Sequence, residues 1–170
     1  ADADGRAAVA LTLASLVRGE WGPVYDAAGW PALLCILSLG GATAAMAQLH
    51  SDAARGASNL LLTEANRLSL LADPRAVHFL ARALGSLSAQ AQQAGSSDRA
   101  LALGTAHAYA LLLRSSAPEL VAEAVAAIAS MGAQASALAE AGVPAALAAL
   151  LKSEDPLVAA GAARALGALA

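Results

Sequence analysis

The sequence predicts an all-α chain built as a stack of helical repeats, and three observations carry that expectation. Ala accounts for 51 of the 170 residues, and it costs no side-chain entropy in a helix and lets helix axes approach closely. Aromatic residues make up only 3%, so the core must be built from small and medium aliphatic groups. β-branched residues are scarce and no apolar–polar alternation appears, which leaves a sheet little to form on. The third observation is an internal repeat.

Leu112-Leu-Arg-Ser-Ser-Ala-Pro118 and Leu150-Leu-Lys-Ser-Glu-Asp-Pro156 share one layout: a helix end, a basic residue, a short polar turn and a Pro. The two prolines are 38 residues apart. Past each Pro the apolar positions correspond as Leu120 with Val158, Ala124 with Ala162, Ile128 with Leu166 and Met131 with Leu169. Their spacing marks one stripe of an α-helix. A Pro at the start of a helix is harmless, because its missing N–H has no partner there in any case. A second phrase, Ala139-Glu-Ala-Gly-Val-Pro-Ala-Ala-Leu-Ala-Ala-Leu-Leu151, reads as a short helix, a Gly that ends it and a Pro that opens the next. Asp26-Ala-Ala-Gly-Trp-Pro31 repeats it, so Gly29-Trp-Pro31 and Gly142-Val-Pro144 mark equivalent corners.

In order, this reading places long helices at about 6–17, 50–63, 118–131 and 156–170. Ala53-Ala-Arg-Gly-Ala-Ser-Asn-Leu-Leu61 aligns with the final nine residues. Two further helices are expected at 75–94 and 99–114, separated by the loop Gln92–Asp98 with Asp98 as a helix cap. Asp73-Pro74 opens the helix that carries His78.

The run from Glu140 to Ala170 resembles an armadillo repeat. In that family a short first helix meets a second at a Gly corner, and a polar turn with Pro leads into a long third helix. The resemblance implies a right-handed α–α superhelix of about three to four repeats in a single domain over 1–170. The clear units fall at 99–132 and 133–170, degenerate ones at 6–63, and 64–98 is irregular. The abrupt first and last helices suggest a longer solenoid, or ends covered by another subunit.

The residues offer little chemistry. A formal charge of −3, a pI near 5.5 and cations scattered singly argue against nucleic acid as a partner. His50, His78 and His107 lie far apart without other ligands at metal spacing, and His107 reads as a packing histidine. Gly40-Gly41 lacks the Lys and strand of a phosphate loop. Glu154 and Asp155 stand before a helix start, where the helix dipole favours acids. No catalytic residue, cofactor, metal or small-molecule substrate is expected.

The expected function is therefore a non-catalytic scaffold for protein partners, as a structural subunit of a larger assembly. The resemblance implies that third helices line a groove for an extended partner, gripped by an Asn near the end of each. The matching positions here are Ser15, Asn59, Ser130 and Ala168, of which only Asn59 fits. With Leu166 and Leu169 taken as inward, Gly161, Arg164 and Ala168 face outward; their equivalents are Asp52, Arg55 and Asn59, and Glu123, Ala126 and Ser130. Asp52, Arg55, Asn59, Glu123, Ser130 and Arg164 are the candidate contact residues, and Arg55 and Arg164 share one repeat position able to grip a carboxylate.

The competing class is a membrane-associated helical subunit. The mean hydropathy is +0.59, and the uncharged stretch from Trp30 to Leu49 approaches spanning length. Gly40-Gly41 and a high Ala content weigh against a span. The single cysteine, Cys35, fits a reducing, intracellular setting (cytoplasmic, cytoskeletal or organellar) and reads as a buried small hydrophobe.

Overall fold

Prolines set the rhythm of the folded chain. The computed structural model describes Trp30, Leu33, Leu34, Ile36 and Leu37, then residues 44–93 and 99–170. The expected helix at 6–17, Gly29 and Pro31 of the first corner, Cys35 and the cap at Asp98 lie outside the described residues. So does much of the stretch from Trp30 to Leu49. The described residues form eight α-helices and no strand. They are α1 (Ala44–Leu61), α2 (Glu64–Leu71), α3 (Pro74–Gln93), α4 (Arg99–Leu112), α5 (Pro118–Ile128), α6 (Ala135–Glu140), α7 (Val143–Leu150) and α8 (Pro156–Leu169). A 3₁₀ turn, Gly132–Gln134, leads into α6.

Local chemistry fixes most boundaries. Helices α3, α5 and α8 each begin with Pro. Asp73 Oδ1 accepts from the Arg75 and Ala76 amides at 3.0 and 3.3 Å, and Asp155 Oδ1 accepts from the Leu157 and Val158 amides at 2.8 and 3.4 Å. Each carboxylate thus satisfies first-turn donors that have no partner within the helix. The turns before α5 and α8 are built alike. Ser115 Oγ accepts from the Ala117 amide and Ser153 Oγ from the Asp155 amide, both at 3.2 Å. At the corner between α6 and α7, Gly142 holds φ +76°, the left-handed conformation that ends a helix cheaply only at glycine.

The boundaries expected at 75–94 and 99–114 are met closely by α3 and α4. Helix α5 ends at Ile128 rather than 131, and Met131 caps the 3₁₀ turn that follows. Helix α1 begins six residues earlier than expected, at Ala44. Helix α2 falls in the irregular stretch 64–98, where the sequence predicts helices without a corner motif. It follows α1 immediately, and its Arg67 reaches back so that Nη1 donates to the carbonyls of Leu61 at 2.7 Å and Leu62 at 3.0 Å. Those carbonyls end α1 without helical partners, so Arg67 takes the place of a C-terminal cap.

Helix α4 is the spine. Ten of its 14 residues are buried, as expected of a helix apolar on all sides. It packs against α1 and α3 and also touches α5, α6 and α7. At the crossing with α1 the backbones come so close that a Cβ on Gly104 would overlap the side chain and Cα of Ser58. Ser58 is itself fully buried and satisfies its hydroxyl by donating to the Ala54 carbonyl at 2.8 Å.

The last three helices realise the repeat. Helix α8 packs on α7 and on α5. A Cβ at Gly161 would lie 2.7 Å from Val125 Cγ1, and one at Gly132 would lie 3.1 Å from the Ala168 carbonyl oxygen. Both contacts join residues 36 apart in the chain, so α5 with its following turn runs beside α8 in the same direction. Parallel neighbours of this kind, each preceded by the same Ser-containing turn and Pro, make the fold an armadillo-like helical repeat.

One expectation is corrected. Gly161 does not face outward: it is buried with Val158, Ala162 and Ala165, while Leu166 and Leu169 are only half-buried. The contact stripe of α8 is set by where the backbone of α5 can approach closely. Small residues permit that approach, so counting large apolar side chains places the stripe about one position around the helix from where it lies.

Candidate partner-binding surface

Five of the six candidate contact residues fall on three helices, and the sixth follows α5. On α1, Arg55 Nη1 stands 3.9 Å from Asp52 Oδ1, with the Arg55 side chain 43% and the Asp52 side chain 9% exposed. One turn apart, they form a loose pair over the helix surface. Asn59 follows on the same helix and is exposed. On α5, Glu123 is about half exposed and lies 3.3 Å from Nδ1 of His78 on α3. Just beyond α5, the Ser130 hydroxyl donates to the Ala127 carbonyl at 2.7 Å, which occupies its only proton. Arg164 on α8 is exposed and has no acidic partner among the described residues.

These residues do not converge on one point. Helix α1 packs on α4, which in turn touches α5, whereas α5 and α8 are direct neighbours. Glu123, Ser130 and Arg164 therefore share one parallel helix pair, and the Asp52–Arg55–Asn59 stripe stands on a separate helix. Ala126 and Ala168, named with them at the sequence level, are exposed as expected.

The structure adds a polar seam that no sequence spacing announced. His78 bridges to Glu123, and near the other end of α3 the buried Gln134 Nε2 donates to Ser88 Oγ at 2.9 Å. Between these bridges the Tyr109 hydroxyl approaches Gly85 so closely that a Cβ there would lie 2.7 Å away. Burial raises the Tyr109 pKa, and the negative charge of Glu123 raises it further. The partners in each bridge are 45 and 46 residues apart, so only tertiary packing brings them together.

The other histidine of interest sits on the spine. His107 Nδ1 is 2.9 Å from the Leu103 carbonyl, the packing role expected of it. Burial lowers its pKa, the hydrogen bond to Leu103 partly offsets that, and the charge of Arg67 lowers it again. Among the described residues no group of three His, Cys, Asp or Glu side chains could hold a metal ion. No single described helix is long and apolar enough to cross a membrane. One bent pair, Pro118–Ile128 with Gly132–Glu140, meets the length and composition together but turns by 88° at the break.

A depression of about 200 Å³ opens where the end of α2, the start of α3, the end of α4 and the start of α5 meet. Leu71, Val77, Leu112 and Leu120 line its apolar part, with Arg114 and Ser116 from the turn before α5. It falls below the roughly 300 Å³ at which pockets for small molecules begin. Helix α5 offers no side-chain cap beside it, since its cap position is Ala117.

No protein-family model matches the chain, and no curated protein sequence does. Among solved structures, an engineered protein determined by a structural genomics consortium is 20% identical, with 99% of this chain and 93% of that chain covered and a TM-score of 0.34. A designed armadillo repeat protein is 18% identical, with 99% of this chain and 95% of that chain covered and a TM-score of 0.32. The repeat assignment stands on the helix order, turns and parallel packing described above.

Proposed function

We propose that this chain is a non-catalytic scaffold that binds other proteins and serves as a structural subunit of a larger assembly. One observation carries the reading: many of the polar side chains described are engaged in helix caps and bridges between helices, and the remaining charges are spread over exposed surfaces rather than gathered in a pocket. Asp73 and Asp155 cap helices, Arg67 caps α1, and Gln134 and Ser88 join α3 to the turn after α5. Beyond their first turns, the side chains outward on α5 and α8 are Ala122, Glu123, Ala126, Ala160, Ala163, Arg164 and Ala168. A broad surface of small side chains with isolated charges suits protein contact, where charges are sparse at the centre. The single cysteine supports an intracellular setting.

The test is a partner screen on the native assembly with two variants. Purifying the complex and identifying its subunits gives the partner. Reconstitution with Arg164→Glu and Arg55→Glu chains then asks which helix surface is used. Loss of the partner with Arg164→Glu supports the α5–α8 surface, and loss with Arg55→Glu moves the contact to α1. A chain that purifies without any stoichiometric partner contradicts the scaffold reading.

A further inference from the structure

The first turn of α8 presents the most exposed large apolar residue described: Leu157 has 80% of its surface free. Beside it stands the acidic pair Glu154 and Asp155. Asp155 is engaged as the cap of α8, whereas Glu154 is exposed and has no partner among the described residues. Leaving a leucine in water forgoes the stabilisation that burial would bring. The turn before α5 has the complementary form, a depression with an apolar floor, the Ser115–Ser116 turn on one side and Arg114 at its rim. Arg114 is exposed and also lacks an acidic partner among the described residues. A second opposite-sign pair exists, with Lys152 on the projecting turn and Glu119 in the first turn of α5, both exposed.

Helices α5 and α8 are parallel neighbours, so these two turns lie on the same edge of the stack, one repeat apart. A surface that carries both a projection and its matching depression can pair with itself about a two-fold axis, each copy contributing both. We infer that two copies of this chain associate along this edge, with Leu157 of each seated in the Leu71–Leu120 depression of the other and Glu154 paired with Arg114. The contact uses the N-terminal edge of α5 and α8 rather than the Glu123–Arg164 surface proposed for a protein partner, so either can fail alone.

Sedimentation velocity on the 170-residue chain, from low micromolar to near-millimolar concentration, tests this. The wild-type chain should pass from monomer to dimer across that range. Leu157→Asp should raise the dimer dissociation constant at least about tenfold, because a charged group cannot enter the apolar depression. At 80% exposure this substitution leaves the core untouched, and far-UV circular dichroism should show unchanged helix content. Arg114→Glu and Glu154→Arg should each be monomeric alone, with like charges facing in both contacts. Mixed in equal amounts they should form the dimer again, because each then meets an opposite charge twice. A wild-type chain monomeric throughout, an undiminished Leu157→Asp dimer, or no recovery on mixing the charge variants would overturn the inference.

Discussion

Val125 on α5 occupies the space that a side chain at Gly161 on α8 would need: a methyl group there would lie 2.7 Å from Val125 Cγ1. This contact fixes how closely consecutive long helices approach, and it makes Gly161 a packing position although it sits mid-helix. Two effects oppose each other in Gly161→Ala. Helix propensity favours Ala by about 1 kcal/mol, while overpacking costs about 1–3 kcal/mol. Val is stiff at χ1 in a helix and cannot swing away, so net destabilisation of about 1 kcal/mol is expected in urea denaturation. The double variant Gly161→Ala with Val125→Ala should recover most of the clash, and a purely additive pair would show that the two positions do not meet.

The crossing of α1 and α4 is tighter. Gly104→Ala should destabilise by about 3 kcal/mol, since the added methyl overlaps the backbone of Ser58 as well as its side chain. Ser58→Gly should rescue only part of that loss. Differential scanning calorimetry of the three chains measures both effects, and a Gly104→Ala chain as stable as wild type would place the crossing wrongly.

Gly142 isolates conformation from packing. Its φ is +76° and a Cβ there would meet nothing within 4 Å, so Gly142→Ala should cost only the left-handed backbone penalty of about 1–2 kcal/mol. Asn, which tolerates that region better, should lose less. Equal losses for Ala and Asn in thermal melts would point to some other cause.

The two Pro-initiated helices of the repeat differ in their caps, and that difference is measurable. Asp155→Ala should cost about 1 kcal/mol by removing the acceptor for the Leu157 and Val158 amides. Ala117→Ser, at the uncapped start of α5, should stabilise by about 0.5–1 kcal/mol. Chevron-free equilibrium denaturation suffices, and a destabilising Ala117→Ser would show that the turn cannot accept the hydroxyl.

The pH response of the spine follows from His107. Its folded pKa is lowered from 6.5, first by burial, so the folded state binds fewer protons than the unfolded chain just below that value. Stability from this group is complete above about pH 6.5 and is lost as pH falls toward the lowered folded pKa. Melting temperature should therefore fall between pH 7 and pH 5, and His107→Gln should flatten that slope. An unchanged slope in the variant would assign the effect to other groups.

Much of this architecture was legible in the sequence because it is written in local chemistry. Pro118 and Pro156, the Ser115 and Ser153 turns, Gly142 and the Asp73 and Asp155 caps each act within a few residues, where steric and hydrogen-bonding rules leave few alternatives. The helical class, the ends of α3 and α4 and the corner at Gly142 followed directly. Less legible was α2, whose Arg67 satisfies carbonyls of the preceding helix and so belongs to a contact between elements.

What only the tertiary structure decided was which faces meet. A stripe of Ala and Gly gives almost no periodic signal, because small residues suit a buried contact and an exposed surface equally well. Hence the burial of Gly161, the overlap-free meeting of Gly104 with Ser58, and the bridges His78–Glu123 and Ser88–Gln134 could not be read from spacing. In the same way the candidate residues Asp52, Arg55 and Asn59 are separated from Glu123, Ser130 and Arg164 by the intervening spine. The sequence by itself determined that the chain is helical and repeated, since those properties arise within single turns and corners. The packing of α4 between its neighbours decided how closely the helices approach and which side chains remain outward, because close approach depends on both surfaces at once.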